Sequence, residues 1–383
     1  MFQKKAIVEA FGFPKNYYKE MGVVMATGHS SPTIEHVAQL AGVSTATVSR
    51  VLNGSSRVKE ATARRVLECA RLLNYKPNML AASLRRRQTS VVGVLVADSA
   101  NLFLTSVVHS IEKALREKGY HVILCNTQND PLIEAQQIHL LLQRKVDGFI
   151  ISVAQEKGRH LDVLRNSRVP RVFVNRWPVD VEGPVILADH RQAMEKIVAH
   201  LVSKGHERIG FLCNVAGYST GRERLEAFKD ALASRGLPCD PTTFQIIESE
   251  RRLTADAVRR ILEVEDPPTA LIAGGFYTTL DMMSGLQKLG IKIPEELSVV
   301  GYDDHEWTSL LTPPLTVICQ PAEQMGRLAA VKLLELINLP AESWDSGLGE
   351  LSGVTRLPCK LIERASVGPP RNQPLTLKIF KRS

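Results

Sequence analysis

From Val91 onward the chain repeats one unit. A short apolar run is followed by a turn, then by a stretch with apolar residues at every third or fourth position. Val91-Val-Gly-Val-Leu-Val96 reads as a buried strand, and the segment after it carries Val107, Val108, Ile111 and Leu115 on one helical face before ending at Lys118-Gly119. His121–Cys125, a helix around Glu134–Arg144, Gly148–Ser152 and Val172–Val174 continue the series. A second series has strands at Arg208–Leu212, Phe244–Ile247, Ala270–Ala273 and Ser298–Asp303, with helices near 221–235, 255–262 and 278–289. Strands that alternate with helices predict parallel sheets covered on both faces. Two such series predict two Rossmann-like lobes. Ligands bind such sheets beyond the carboxyl ends of the strands, so the expected site is a cleft between the lobes.

The charge is divided at the same place. Residues 31–90 hold ten Lys and Arg against three acids, a balance of +7, while residues 91–370 hold thirty against thirty-five, a balance of −5. The two ends add +2 and +4, giving the net +8. A small basic segment joined to a mildly acidic body is the footprint of a phosphate-binding module attached to something else. Hydrophobic residues at 44% and charged residues at 23% exclude disordered and fibrous classes. No apolar run approaches about 18 residues and the first thirty residues lack a signal-type apolar core, so a cytoplasmic location is expected. The six cysteines form no Cys-x-x-Cys pair and read as buried reduced thiols, with no metal or cofactor expected.

Within the basic segment, Thr33 is placed to cap a helix whose inward face holds Ile34, Val37, Ala38 and Ala41. Gly42 supplies the left-handed residue for a sharp turn. Ser44 then caps a second helix in which Val48, Val51 and Leu52 pack back on the first, leaving Thr45, Ala46, Thr47, Ser49 and Arg50 outward. Short side chains let a helix approach base edges in the major groove, and an arginine reaches a guanine through two parallel hydrogen bonds. A third helix is expected from Lys59 to Asn74, with Ala63, Val66, Ala70 and Leu73 inward.

Taken together, Thr33-Ile-x-x-Val-Ala38, Ala41-Gly-Val-Ser44, Ala46–Asn53, Val58, Leu73-Asn-Tyr75 and Pro77-Asn78 resemble the headpiece of the lactose-repressor (LacI/GalR) family of bacterial regulators. Met79–Leu84 matches that family's hinge helix. The resemblance implies that Leu84, with Ala81 beside it, wedges into the minor groove of operator DNA. It extends over about residues 33–366, through Asp147-Gly148, Lys204-Gly-His206, Gly301-Tyr-Asp-Asp304, Thr312–Thr316, Gln320-Pro321 and Met325-Gly326. For this half it implies a type I periplasmic-binding-protein-like effector domain. A hinge of about seven residues is too short to be stable alone in water, which suits a helix that orders only on DNA. Such a wedge costs a few kcal/mol of unstacking and bends the duplex toward further contacts.

The expected fold is thus α+β and multidomain. Residues 1–30 are read as an extension outside the fold, with Met21 and Met25 as candidate starts. Residues 31–77 form the headpiece, 78–90 the hinge and linker, 91–370 the effector-binding and dimerisation domain, and 371–383 a basic tail without the leucine heptads of a coiled coil. Candidate DNA contacts are Thr33, Ser44, Thr45, Ala46, Thr47, Ser49, Arg50, Asn53, Asn78, Ala81, Leu84 and Arg85. In the cleft the resemblance implies Arg224 as a ligand-gripping arginine, Asp303 as an acceptor from ligand hydroxyls, Thr220 close by, and Phe103 and Leu104 as wall positions. Asn175 and Arg176 close the strand at Val174. An inter-lobe salt bridge is the alternative reading of Arg224 and Asp303. The family's ligand-binding asparagine is a glycine in the run Gly274-Gly-Phe-Tyr277, and Tyr277 is the expected substitute.

The implied function is a homodimeric transcriptional regulator, a repressor, that reads a palindromic operator and answers to a small, carbohydrate-like effector. Whether the effector releases or promotes DNA binding stays open. An enzyme with an appended DNA-binding domain is disfavoured, since no phosphate-binding loop, dinucleotide fingerprint, His-Glu-x-x-His or nucleophile elbow occurs. A secreted sugar-binding protein would not explain the basic head.

Overall fold

The computed structural model describes residues 32–52, 58–75, 88–215, 219–247, 255–339 and 353–375. The chain separates into two compact units between Thr89 and Ser90.

The first unit contains three helices, α1 (Ile34–Ala41), α2 (Thr45–Leu52) and α3 (Glu60–Leu72). Thr33 precedes α1 in extended conformation, and its backbone N–H donates to His36 Nδ1 at 3.1 Å. Gly42 ends the helix at φ 62°, ψ 39°, and the Val43 N–H reaches back to the Ala38 carbonyl at 3.0 Å. Ser44 Oγ accepts from the Thr47 N–H at 3.2 Å and so satisfies an orphan donor of α2. Asn74 takes the left-handed conformation after α3, one that asparagine tolerates better than most residues, and Tyr75 N–H closes on the Ala70 carbonyl at 2.8 Å. Val37, Leu40, Ala41, Val48, Val51, Val66 and Ala70 form the core with Cys69, whose thiol burial pushes up to about 11. At that value it stays protonated and behaves as a small apolar side chain.

The second unit contains two six-stranded sheets. The strands are β1 (Val91–Val96), β2 (His121–Asn126), β3 (Gly148–Ile151), β4 (Arg171–Val174), β5 (Val185–Ala188), β6 (Ile209–Asn214), β7 (Phe244–Ile247), β8 (Ala270–Ala273), β9 (Ser298–Tyr302), β10 (Thr316–Cys319), β11 (Val354–Leu357) and β12 (Lys360–Ile362). The first sheet runs β11-β5-β4-β3-β1-β2 and is parallel throughout. The second runs β12-β10-β9-β8-β6-β7 and is parallel except where β12 lies antiparallel to β10. The two strand series read from the sequence are therefore two sheets, as expected. β5, β10, β11 and β12 were not part of that reading.

The chain passes from one sheet to the other three times: between β5 and β6, after β10, and between β11 and β12. The passages leave β5, β10 and β11 at the same end of each strand order. The first enters the second lobe through the helix at His190–Ser203, which packs against β12 before the chain reaches β6, so one edge of the unit acts as the joint. Helix α4 (Leu102–Arg116) and helix α12 (Ala322–Ile337) pack together on the first sheet, and Ser110 Oγ donates to the Glu323 carbonyl at 2.7 Å. Helix α7 (His190–Ser203) packs against α8 (Ser219–Ala233) on the second. Gly221 in α8 is fixed by contact: a Cβ there would lie 2.0 Å from the Asn214 carbonyl oxygen.

Candidate functional site

On the first unit the burial of Val48 and Val51 sets the phase of α2 and decides which residues it presents. Thr45, Ala46 and Arg50 are exposed, and Thr47 and Ser49 are half-buried. One face thus offers short side chains and a single long cation, a shape that fits against base edges. Thr33 and Ser44 are exposed at the two helix starts. Asn53, Asn78, Ala81, Leu84 and Arg85 lie outside the described residues.

In the second unit the candidate effector residues come from the loops and helices that follow strands of both sheets. Arg224, on α8, is only 8% exposed. Its Nη1 donates to the Gly274 carbonyl at 2.7 Å, its Nη2 lies 3.5 Å from Gln320 Oε1, and its guanidinium carbon sits 4.2 Å from the centre of the Tyr302 ring. The His190 imidazole flanks it at 3.4 Å and shares a 3.0 Å hydrogen bond with the Tyr302 hydroxyl. Full burial, with Arg224 and Arg356 near, holds His190 well below the usual imidazole range, so the ring is neutral at pH 7.

Asp303 directly follows β9 in the left-handed conformation, at φ 72° and 4% exposed. Burial raises its carboxyl above the usual range, against the opposing pull of Gln320, Arg224 and His305. Gln320 Nε2 donates to its Oδ1 at 2.6 Å. Asp303 and Arg224 both belong to the lobe of the second sheet. The inter-lobe salt bridge considered from the sequence is therefore not possible between them, and no ion pair joins them among the described residues. At Gly275 a Cβ would come within 3.3 Å of Arg224 Nη1. A side chain there would crowd the guanidinium, which gives a physical reason for glycine in this loop.

From the first lobe, Asn175 turns the chain after β4 at φ 65°, and Arg176 Nη1 donates to Asn129 Oδ1 at 2.7 Å. Thr220 is buried in the first turn of α8. Phe103 and Leu104 were expected as wall positions. At 5% and 3% exposure they belong to the core cluster under the first sheet, continuing the inward stripe of Val107, Ile111 and Leu115. The i, i+4 spacing of residues 103, 107 and 111 is the sequence signal for that packing.

Sequence reasoning missed three pairs that tie the lobes together. Tyr277 Oη donates to Asp98 Oδ2 at 2.5 Å. Glu156, after β3, accepts from the Ser219 N–H at 2.5 Å and from Arg222 Nη2 at 2.6 Å. Arg356 on β11 grips both carboxylate oxygens of Glu223, at 2.7 and 3.0 Å. Asp98 and Glu156 lie in the loops that follow β1 and β3 and were open to notice by that position alone. His190 was hidden because β5, the strand before it, was not read. Among the described residues no group of three His, Cys, Asp or Glu is arranged to hold a metal ion, and no helix is long and apolar enough to cross a membrane.

A helix-turn-helix unit on a chain with a two-lobed α/β body defines a class of DNA-binding transcriptional regulator. Residues 33–78 match the family described as bacterial regulatory proteins, lacI family, and residues 198–367 match the periplasmic binding protein-like domain. The chain is 33% identical over 306 residues to the HTH-type transcriptional repressor PurR of Aliivibrio salmonicida, covering 80% of this chain and 92% of that one. It is 32% identical over 310 residues to the ribose operon repressor of Escherichia coli, covering 80% and 94%. Among solved structures, the lac repressor dimer bound to operator and the anti-inducer ONPF superposes with a TM-score of 0.74 at 26% identity, covering 88% of this chain and all of that one. The transcriptional regulator CelR in complex with cellobiose gives 0.63 at 28% identity, covering 88% and 99%. The chain belongs to the lacI family of bacterial regulatory proteins.

Proposed function

We propose that this protein is a cytoplasmic, non-enzymatic repressor that binds a two-fold symmetric operator as a homodimer. A small, hydroxylated, carbohydrate-like molecule bound between the two lobes controls it. The observation that carries the DNA half is the exposed face of α2, where Arg50 stands among side chains short enough to admit a groove edge. Thr33, Ser44, Thr45, Ala46, Thr47 and Ser49 form its surround, and Asn53, Asn78, Ala81, Leu84 and Arg85 extend the contact on the family pattern. The headpiece at 31–77 and the hinge at 78–90 thus act as one reading module.

The sensor half rests on the polar groups at facing strand ends: Asp303, Arg224, Thr220 and Tyr277 from one lobe, Asn175 and Arg176 from the other. Hydroxyl-rich ligands suit such a wall, because each carboxylate or amide accepts from or donates to a ligand hydroxyl with fixed geometry. Effector binding changes how the lobes close, and the segment through residues 78–90 passes that change to operator affinity as a population shift.

Two measurements test this reading. Selection of binding sequences from a random DNA pool should return a palindrome, and a chain lacking residues 1–84 should lose specific binding to it. A thermal-shift screen against sugars and polyols should find a stabilising ligand that also changes operator affinity. Selection of no consensus sequence would defeat the first half, and a ligand that left operator affinity unchanged would defeat the second.

A further inference from the structure

The Asp98–Tyr277 hydrogen bond spans the cleft between side chains alone, and both partners are fixed from behind. Asp98 Oδ1 accepts from the Ala100 N–H at 2.9 Å, which orients the carboxylate and leaves Oδ2 for the tyrosine. The Tyr277 ring meets Phe276 edge-on at 5.0 Å, and Phe276 in turn meets His305 edge-on at 5.2 Å, beside Asp303 and Asp304. A hydroxyl donating to an ionised carboxylate is among the stronger hydrogen bonds available to side chains.

Its position gives it leverage. The three passages between the sheets all leave by the β11-β5 and β12-β10 edges, whereas Asp98 follows β1, fifth in the first sheet's order, and Tyr277 follows β8, fourth in the second's. Opening about a joint displaces most what lies farthest from it. The Arg356–Glu223 pair has its arginine on β11 itself, next to the joint.

We propose that Asp98 and Tyr277 form the gate of the cleft. Their bond ties the lobes together on the side of the cleft away from the joint, and an effector enters only by breaking it or by inserting a hydroxyl that accepts from Tyr277 and donates to Asp98. The inference rests on the effector cleft proposed above, and it assigns to Tyr277 a gating role beyond ligand contact. It also makes Asp98, which the sequence did not single out, a determinant of effector selection: a ligand group that lacks a donor leaves that carboxylate unpaired.

The test needs no ligand, so it fails or succeeds separately from the identity of the effector. Spin labels are placed on the full chain at exposed Gln128 in one lobe and exposed Glu306 in the other, after Cys239→Ser and Cys319→Ser remove the accessible thiols. Double electron–electron resonance then compares the parent protein with Tyr277→Phe, Asp98→Asn and the double variant, each confirmed folded by circular dichroism. The expected result is a shift to longer distances in Tyr277→Phe, with no further shift on adding Asp98→Asn. An unchanged distribution in both single variants overturns the proposal. So does a double variant whose shift is the sum of two independent ones, because a bonded pair must act as one unit.

Discussion

The Arg224 guanidinium stacks on the face of Tyr302, whose hydroxyl is bonded to His190, so one cation, one ring and one neutral imidazole form a single buried cluster. Replacing Arg224 with alanine strips the Gly274 carbonyl of its donor and the Tyr302 face of its cation. A lost buried hydrogen bond to a charged group plus the cavity predicts a destabilisation of about 3 kcal/mol. Arg224→Lys should recover little, because an ammonium cannot both lie flat on the ring and reach the carbonyl. Urea unfolding followed by tyrosine and tryptophan fluorescence reads both values, and a lysine variant as stable as the parent would show that the planar fork is not what matters.

Glu134 predicts a pH dependence with a definite sign. Its carboxyl is wholly buried; Oε2 accepts from the Ala154 N–H at 2.6 Å, and Oε1 lies 3.4 Å from His160 Nε2. Burial raises its pKa from 4.5 to about 7, against the pull of the Ala154 N–H and of Arg176. Between those values the folded chain keeps a proton that the unfolded chain releases. Stability therefore falls as pH rises from about 4.5 to 7 and levels off above, with a loss on the order of 3 kcal/mol. Neutral His160 and His190 give the opposite slope near pH 6, since burial lowers both. The Glu134→Gln variant isolates the carboxyl: the stability difference between parent and variant should turn against the parent as pH rises from 5 to 8. A difference independent of pH would mean that Glu134 keeps an ordinary carboxyl pKa.

Much of this architecture could be read from the sequence, and the reason is local. The phase of Val37, Val48 and Val66 fixes three helices, and runs such as Val91–Val96 and Ala270–Ala273 are apolar along their whole length because both faces of a parallel strand are covered. β11 carries only four residues and alternates exposed with half-buried, and it becomes a strand only by pairing with β5, some 170 residues earlier. No local pattern records such a partner. The cleft was legible in the same uneven way. Arg224, Asp303 and Tyr277 stand in recognisable positions, but the side chains that occupy them, His190, Gln320 and Asp98, reach them across long sequence separations. Phe103 and Leu104 were legible in two ways: their helical spacing with Val107 marked them as core, and the family pattern marked them as wall positions.

Two glycines should separate conformational cost from steric cost. Gly42 has φ 62° and an alanine Cβ there would meet nothing within 4 Å, so the substitution costs only a left-handed backbone, about 1 kcal/mol. Gly221 leaves no room, since its Cβ would meet the Asn214 carbonyl oxygen at 2.0 Å and force α8 away from β6. Gly221→Ala should cost more than twice as much as Gly42→Ala. Hydrogen exchange resolves the two, with faster exchange confined to α1 and α2 in the first variant and to α8 and β6 in the second. Equal effects would mean that α8 can shift at little cost.

Arg50 offers the sharpest test of the DNA-reading face. It is the only long cation among the outward residues of α2, and Val48 and Val51 beneath it lock the helix phase, so its reach is confined to one or two base pairs. If it makes paired hydrogen bonds to a guanine edge, Arg50→Ala should weaken binding to the selected operator by about 1 to 3 kcal/mol, roughly ten- to a hundredfold. The loss should be concentrated at one symmetric position in each half-site. Changing that base pair should then cost the parent protein dearly and the variant almost nothing. A phosphate contact would behave otherwise, weakening all sequences alike and lowering the salt dependence by about one ion. Fluorescence anisotropy on operator variants at two salt concentrations distinguishes the outcomes. A uniform loss would move Arg50 from reading bases to holding the backbone, and base discrimination would then have to come from Thr45, Ala46, Thr47 and Ser49.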